Sequence, residues 1–177
     1  GDVTRAVAQL PGVAGDTDMF ATLSVRGGAQ TETGFFLDGV PLLNPNHLGG
    51  VYTLFNPSLV DTVRLDTAAA PAAFGDTLAG AMSVRTIDGD PRDWDGLIDV
   101  NMAMASAHVG GPLGPKGAPV TFLLSGRRSY FEAYLALMQA VGVLGDQFLG
   151  LSFGEYSGRV TVGREGAPHR LRVTVMH

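Results

Sequence analysis

Four histidines, His47, His108, His169 and His177, are the natural first candidates for metal or acid–base chemistry. Their spacing argues against it, because no two stand at the short intervals that close a ligand set. Asp88, Asp90, Asp93 and Asp95 have the composition of a calcium loop but lack the twelve-residue pattern with its closing glutamate, and read as a solvated linker. Gly110-Gly111-Pro112-Leu113-Gly114-Pro115-Lys116-Gly117 is glycine-rich, yet no helix opening on Gly-Lys-Ser/Thr follows, so it reads as a turn. The chain has no cysteine, which excludes thiol catalysis, a disulfide scaffold and Cys-ligated zinc. No serine occupies a Gly-x-Ser-x-Gly elbow. The expectation is a protein without catalytic residues, metal or cofactor. Arg26 and Arg85 read on their own terms as surface arginines, and two polar stretches, Gln30-Thr31-Glu32 and Asn44-Pro45-Asn46-His47, as solvated turns.

Composition narrows the setting in which such residues act. The 177 residues carry a net charge of -5, and only 16% are charged, below the roughly 25% usual for soluble domains. The acidic balance argues against nucleic acid as a partner, since such binders show a basic face. Apolar residues make up 45%, enough for a core. Glycine is in excess, with 25 residues, about twice its usual share. Gly1 to Arg5 lacks the basic start and apolar run of a signal peptide. No stretch of 18 apolar residues forms a membrane-spanning helix.

Two textures divide the chain. In the first, Val3, Ala6, Val7 and Leu10 predict a helix capped by Asp2 and stopped by Pro11-Gly12. Short strands follow at 21–25 and 34–37, with Asp38-Gly39 as the tight turn after the second. A short helix is expected to begin at Pro57, and strands at 61–66 and 80–86. This half, residues 1–86, reads as a compact α+β domain, with residues 87–96 as a linker. In the second texture apolar residues recur with period two. Ile98, Val100, Met102 and Met104 form one set, Val120, Phe122 and Leu124 another. Tyr156, Val160 and Val162, then Leu171, Val173 and Val175, complete about four strands over residues 97–177. A soluble sandwich and a transmembrane barrel both alternate this way, and periodicity alone leaves both open. The apolar segment from Phe131 to Leu144 predicts a short helix at a strand connection, packed on a wall or docking a partner.

Five motifs of the first half, in order, resemble the plug domain of TonB-dependent outer-membrane receptors. They are Asp2-Val3-Thr4-Arg5 through Gln9-Leu10-Pro11-Gly12-Val13, then Leu23-Ser24-Val25-Arg26-Gly27-Gly28, then Phe36-Leu37-Asp38-Gly39-Val40-Pro41. Leu54-Phe55-Asn56-Pro57 with Val60-Asp61-Thr62-Val63-Arg64-Leu65 is the fourth, and Phe74-Gly75 through Leu78-Ala79-Gly80-Ala81-Met82-Ser83-Val84-Arg85-Thr86 the fifth. Ser125-Gly126-Arg127-Arg128-Ser129-Tyr130 further resembles an early barrel strand of that family.

The resemblance implies an α+β plug domain followed by antiparallel transmembrane β-barrel strands, about four of an expected 22, an incomplete barrel. It implies the bacterial outer membrane, and uptake of a scarce ligand such as an iron chelate, cobalamin or an oligosaccharide, gated by the plug. Implied partners are outer-membrane lipid and the remaining barrel strands, from the same longer chain or from others, because an open edge cannot face hydrocarbon. An inner-membrane energy-coupling protein is expected to act through a segment upstream of the plug. The resemblance also assigns roles. Arg26 and Arg85, on their own terms surface arginines, become candidates for ion pairs with the barrel's inner wall. Gln30, Thr31, Asn44, Asn46 and His47, on their own terms solvated turns, become candidate substrate-facing loops. Two other readings stay open: a structural or interaction subunit of an envelope complex, and a soluble all-β binding domain. The motifs describe a gate and leave import against export undecided.

Overall fold

The computed structural model describes residues 3–15, 23–47, 52–67, 70–75, 77–101, 104–115, 119–142, 152–163, 166 and 168–177. Two compact units meet in sequence between Ile87 and Asp88.

The first unit opens with helix α1, Val3–Val7. It stops sooner than the predicted end at Leu10, where the chain turns toward Pro11-Gly12 and Leu10 is left half exposed. Asp2, its expected cap, lies outside the described residues. Strands β1 (Val13–Gly15) and β2 (Leu23–Val25) form an antiparallel pair. A 3-10 turn, Gln30–Glu32, leads into β3, Thr33–Leu37, which returns as β4, Val40–Leu42. The connecting residues Asp38 and Gly39 both have positive φ, 51° and 85°, as a type I′ hairpin turn requires. Strands β5 (Asn46–His47) and β6 (Tyr52–Thr53) make a second small pair. A 3-10 turn at Pro57–Leu59, capped by the Asn56 side chain, starts β7, Val60–Asp66. Strand β8, Gly80–Thr86, closes a four-stranded sheet of order β4-β3-β8-β7. β3 and β8 run parallel, Thr33 opposite Gly80 and Leu37 opposite Val84. The core is Val7, Leu23, Phe35, Leu37, Phe55, Met82 and Val84, so this unit hides its apolar side chains in the ordinary way.

The second unit is one antiparallel meander of order β13-β12-β11-β10-β9. Its strands are β9 (Asp95–Val100), β10 (Met104–Pro112), β11 (Val120–Ser129), β12 (Gly154–Val162) and β13 (Leu171–Met176). Helix α2, Phe131–Ala140, follows β11. Five strands replace the expected four, because the segment read as one strand from Leu97 is a hairpin. Asn101 closes it: its N–H donates to the Met104 carbonyl and its side chain accepts from Met104 N–H, both at 3.0 Å. Met104 therefore pairs with Ser129 on the face opposite Ile98 and Val100. Gly110 to Pro112, read as turn, belong to β10 and pair with Thr121 to Leu123. β9 also begins at Asp95, inside the stretch read as linker.

Register divides this sheet into two faces. Ile98, Ala107, Leu124, Val160, Val173 and Val175 share one, while Ser106, Ser125, Arg127, Arg159, Thr161 and Thr174 share the other. The apolar face is the exposed one: Val175 is 70% and Leu124 53% accessible, against 4% for Arg127 and 3% for Thr161. A soluble sandwich would bury the first set. Apolar outside and polar inside is the pattern of a transmembrane barrel wall. No helix among the described residues is long and apolar enough to cross a membrane, which says nothing of strands.

Candidate functional site

The candidate residues of the first unit are divided between turns and strands. Arg26 follows β2 in a turn where Gly28 N–H donates to the Val25 carbonyl at 2.9 Å. Arg26 itself takes φ 51°, followed by Gly27 at 75°. A left-handed conformation costs a residue with a Cβ on the order of 1–2 kcal/mol, so a strained and exposed arginine is held here. Arg85 lies on β8, its backbone paired with Thr62 of β7.

Gln30 and Thr31 stand in the 3-10 turn before β3. Glu32 fixes this turn: its carboxylate accepts from Ala29 N–H at 3.0 Å, and its carbonyl from Leu78 and Ala79 N–H at 2.9 Å. Asn44 stays in a loop and its side chain accepts from Asn46 N–H at 3.0 Å. Asn46 and His47, expected in the same loop, instead form β5, because Leu54 N–H bonds the Pro45 carbonyl and draws that segment against β6. The Asn46 side-chain oxygen is buried with no hydrogen-bond partner among the described residues.

Asp38 does more than turn the chain. Its carboxylate accepts from Thr86 N–H at 3.0 Å and from the Thr86 hydroxyl at 2.6 Å. The β3–β4 turn thereby holds the last residue of β8, 48 positions later.

The polar face of the second unit carries three groups of contacts. At one level Arg127 is ion-paired and doubly hydrogen-bonded to Glu155, one bond being 2.7 Å, with its guanidinium 5.2 Å from the Phe153 ring centre. At the next level the Ser125 and Ser157 hydroxyls are 2.7 Å apart. His108 is opposite Ser125 in register, and its Nδ1 is buried with no hydrogen-bond partner among the described residues.

The third group centres on Asp88. Its Oδ1 accepts from the Thr161 hydroxyl at 2.9 Å and lies 3.6 Å from Arg159 Nη1. Its Oδ2 accepts from Arg172 at 2.7 Å and from Arg170. Arg159 also donates to the Thr174 hydroxyl at 3.0 Å. Burial opposes ionisation of Asp88, but hydrogen bonds from Arg172 and Thr161 and the charges of Arg172 and Arg170 outweigh it. The carboxyl is held below its ordinary range. Asp88 is thus a half-buried ion-pair centre, contrary to the solvated-linker reading, while Asp90, Asp93 and Asp95 are exposed as that reading had them. Sequence reasoning missed this group. The available signal was Arg170 and Arg172 two residues apart on one strand face. Among the described residues no three His, Asp or Glu side chains are placed to hold a metal ion.

The arrangement provides polar turns on one unit and a largely buried, hydrogen-bonded polar face on the other. Comparison with known proteins places it. No curated protein matches the chain in sequence. The family model of the TonB-dependent Receptor Plug Domain matches residues 1–82. The fold is similar to that of the FrpB iron transporter from Neisseria meningitidis (F3-3 variant), with a TM-score of 0.63 at 18% identity over 99% of this chain. The chain spans 28% of the length of that transporter. Residues 1–82 accordingly match a TonB-dependent receptor plug domain, and the chain, with its five-stranded antiparallel sheet, has a fold similar to part of that transporter.

Proposed function

We propose that this chain is the plug and first barrel strands of a bacterial outer-membrane receptor, in which the plug gates energy-coupled uptake of a scarce ligand. The observation that carries the reading is the inverted burial of the second unit, apolar outward and polar inward. On this reading Leu124, Val160, Val173 and Val175 face lipid and the Arg127–Glu155 pair faces the lumen. The domain limits follow: plug to residue 86, connector from 87, wall from the following strands. Arg26 and Arg85 pair with carboxylates of the inner wall. The strained φ of Arg26 supports its part, since strain is retained where function needs the side chain. Gln30, Thr31, Asn44, Asn46 and His47 form substrate-facing surfaces. The similarity to a protein named as an iron transporter favours an iron chelate as the ligand class. The partners are outer-membrane lipid, the remaining barrel strands and a TonB-type coupling protein.

Residues 1–177 hold no cysteine that would compete for label. Single cysteines at Leu124, Val173, Ser125 and Thr174 are introduced in outer-membrane vesicles. Leu124→Cys and Val173→Cys should react with a lipid-phase maleimide and resist a water-soluble one, and Ser125→Cys and Thr174→Cys should not react with the lipid-phase reagent. Equal labelling of both sets by the water-soluble reagent sinks the membrane reading.

A second reading, a structural or interaction subunit of an outer-membrane complex, is favoured by α2 and its neighbour Val141. Leu137 is 60% and Val141 63% exposed there. Co-purification in fixed ratio with another barrel protein, with no ligand-dependent uptake, would select it.

A further inference from the structure

Asp88, the first residue of the second unit, is fastened to the two strands that end the meander. Arg159 and Thr161 belong to β12, Arg172 to β13, and Arg170 immediately precedes β13. The next residue is fastened differently. Gly89 is buried against β10 and β11: a Cβ there would overlap the Phe122 carbonyl oxygen and stand 2.8 Å from Gly111 N. A Cβ on Gly110 would in turn lie 3.1 Å from the Gly89 Cα. Two successive residues are thus held to four strands, one by charge and one by close backbone approach.

The preceding unit has its own fastening. Thr86 is held by Asp38, and Ile87 N–H donates to the Leu59 carbonyl at 2.8 Å. One peptide link, Ile87–Asp88, joins the two sets of contacts. Without the second set, tension on the plug would reach β9 directly, a strand of six residues held by β10 at the edge of this sheet.

We propose that Asp88 and Gly89 are positioning residues that form a two-point anchor, so that displacement of residues 1–87 stops at residue 88 and the wall keeps its register under load. The identity of the load rests on the gating reading above; the anchor itself lies wholly within the second unit.

The test is single-molecule pulling, from the N-terminus of the plug, on the membrane-embedded protein that carries this chain. Released chain should reach about 300 Å, the extended length of residues 1–87, and meet a distinct force peak there. Asp88→Asn and Gly89→Ala should each lower that peak at least twofold, and Asp88→Glu should restore part of it. Heat-modifiable migration in gels reports whether each variant still has a folded wall. If Asp88→Asn does not fold, Thr161→Val removes one hydrogen bond and should give an intermediate force. A wild type with no peak at that length, or folded variants with an unchanged peak, would overturn the anchor. Ligand uptake measured in the same strains separates the two readings. Uptake without the peak discards the anchor alone, and the peak without uptake sustains the anchor while discarding the gate.

Discussion

Arg26 and Asp38 share a left-handed φ of 51°, yet they tolerate it for different reasons. Asp38 is compensated: its carboxylate bonds both the N–H and the hydroxyl of Thr86. Aspartate also tolerates this region better than most residues. Among the described residues Arg26 shows only a backbone bond, from its N–H to the Gly12 carbonyl at 2.8 Å. Glycine at position 26 would relieve the strain, so Arg26→Gly should raise stability by about 1 kcal/mol, less the added chain entropy of glycine. Its uptake activity should fall, because the proposed ion pair with the wall is lost. Denaturation midpoints and ligand uptake measured together check this; a variant both less stable and fully active would show that the arginine is held by packing. The Asp38-Gly39 turn was legible from two adjacent letters, since its chemistry is local. The Asp88 centre was not, because its partners lie 71 to 84 residues away and only the meander brings them close.

Among elements, legibility followed the contrast between facing side chains. β11, β12 and β13 alternate large apolar residues with Thr, Ser or Arg, and their two faces were readable directly. β9 and β10 were fused in the sequence reading, because the alanines around Met104 alternate too weakly to mark where the phase reverses. β11 and β12 are also joined by the Arg127–Glu155 pair, in which Arg127 is almost fully buried. Removing one partner takes the ion pair from a charge that stays buried, which costs up to about 3–5 kcal/mol. Glu155→Ala should therefore destabilise the wall by that amount, while Arg127→Met with Glu155→Leu should recover most of it. Urea titration in lipid vesicles measures both. Equal losses in the single and double variants would mean that the pair matters through its neighbours and not through its charge.

At the scale of the whole molecule, two opposite burial rules operate in one chain. The first unit gathers apolar side chains into a core, and the strands from β9 onward turn most of theirs outward. The lengths agree with that division. β10, β11 and β12 have 9, 10 and 9 residues, and a tilted strand needs about 9–11 to cross a bilayer. β9 and β13, with 6 each, are the flanks of this sheet.

The parallel pairing of β3 with β8 has a consequence for the order of assembly. Antiparallel neighbours in the meander follow one another along the chain, so each hairpin can close soon after both its strands are available. β3 must instead wait for a partner that begins 47 positions later, Thr33 opposite Gly80. Such non-local closure is slow, because the loop entropy is lost before the contacts form. A polypeptide stopped after residue 79 lacks β8 and hence Met82 and Val84 of the core, and should show no cooperative melting. One extended through residue 87 should melt in a single transition. Cooperative melting of the shorter piece would mean that β3 finds its order elsewhere. The first unit therefore cannot complete its core until its final strand has been delivered.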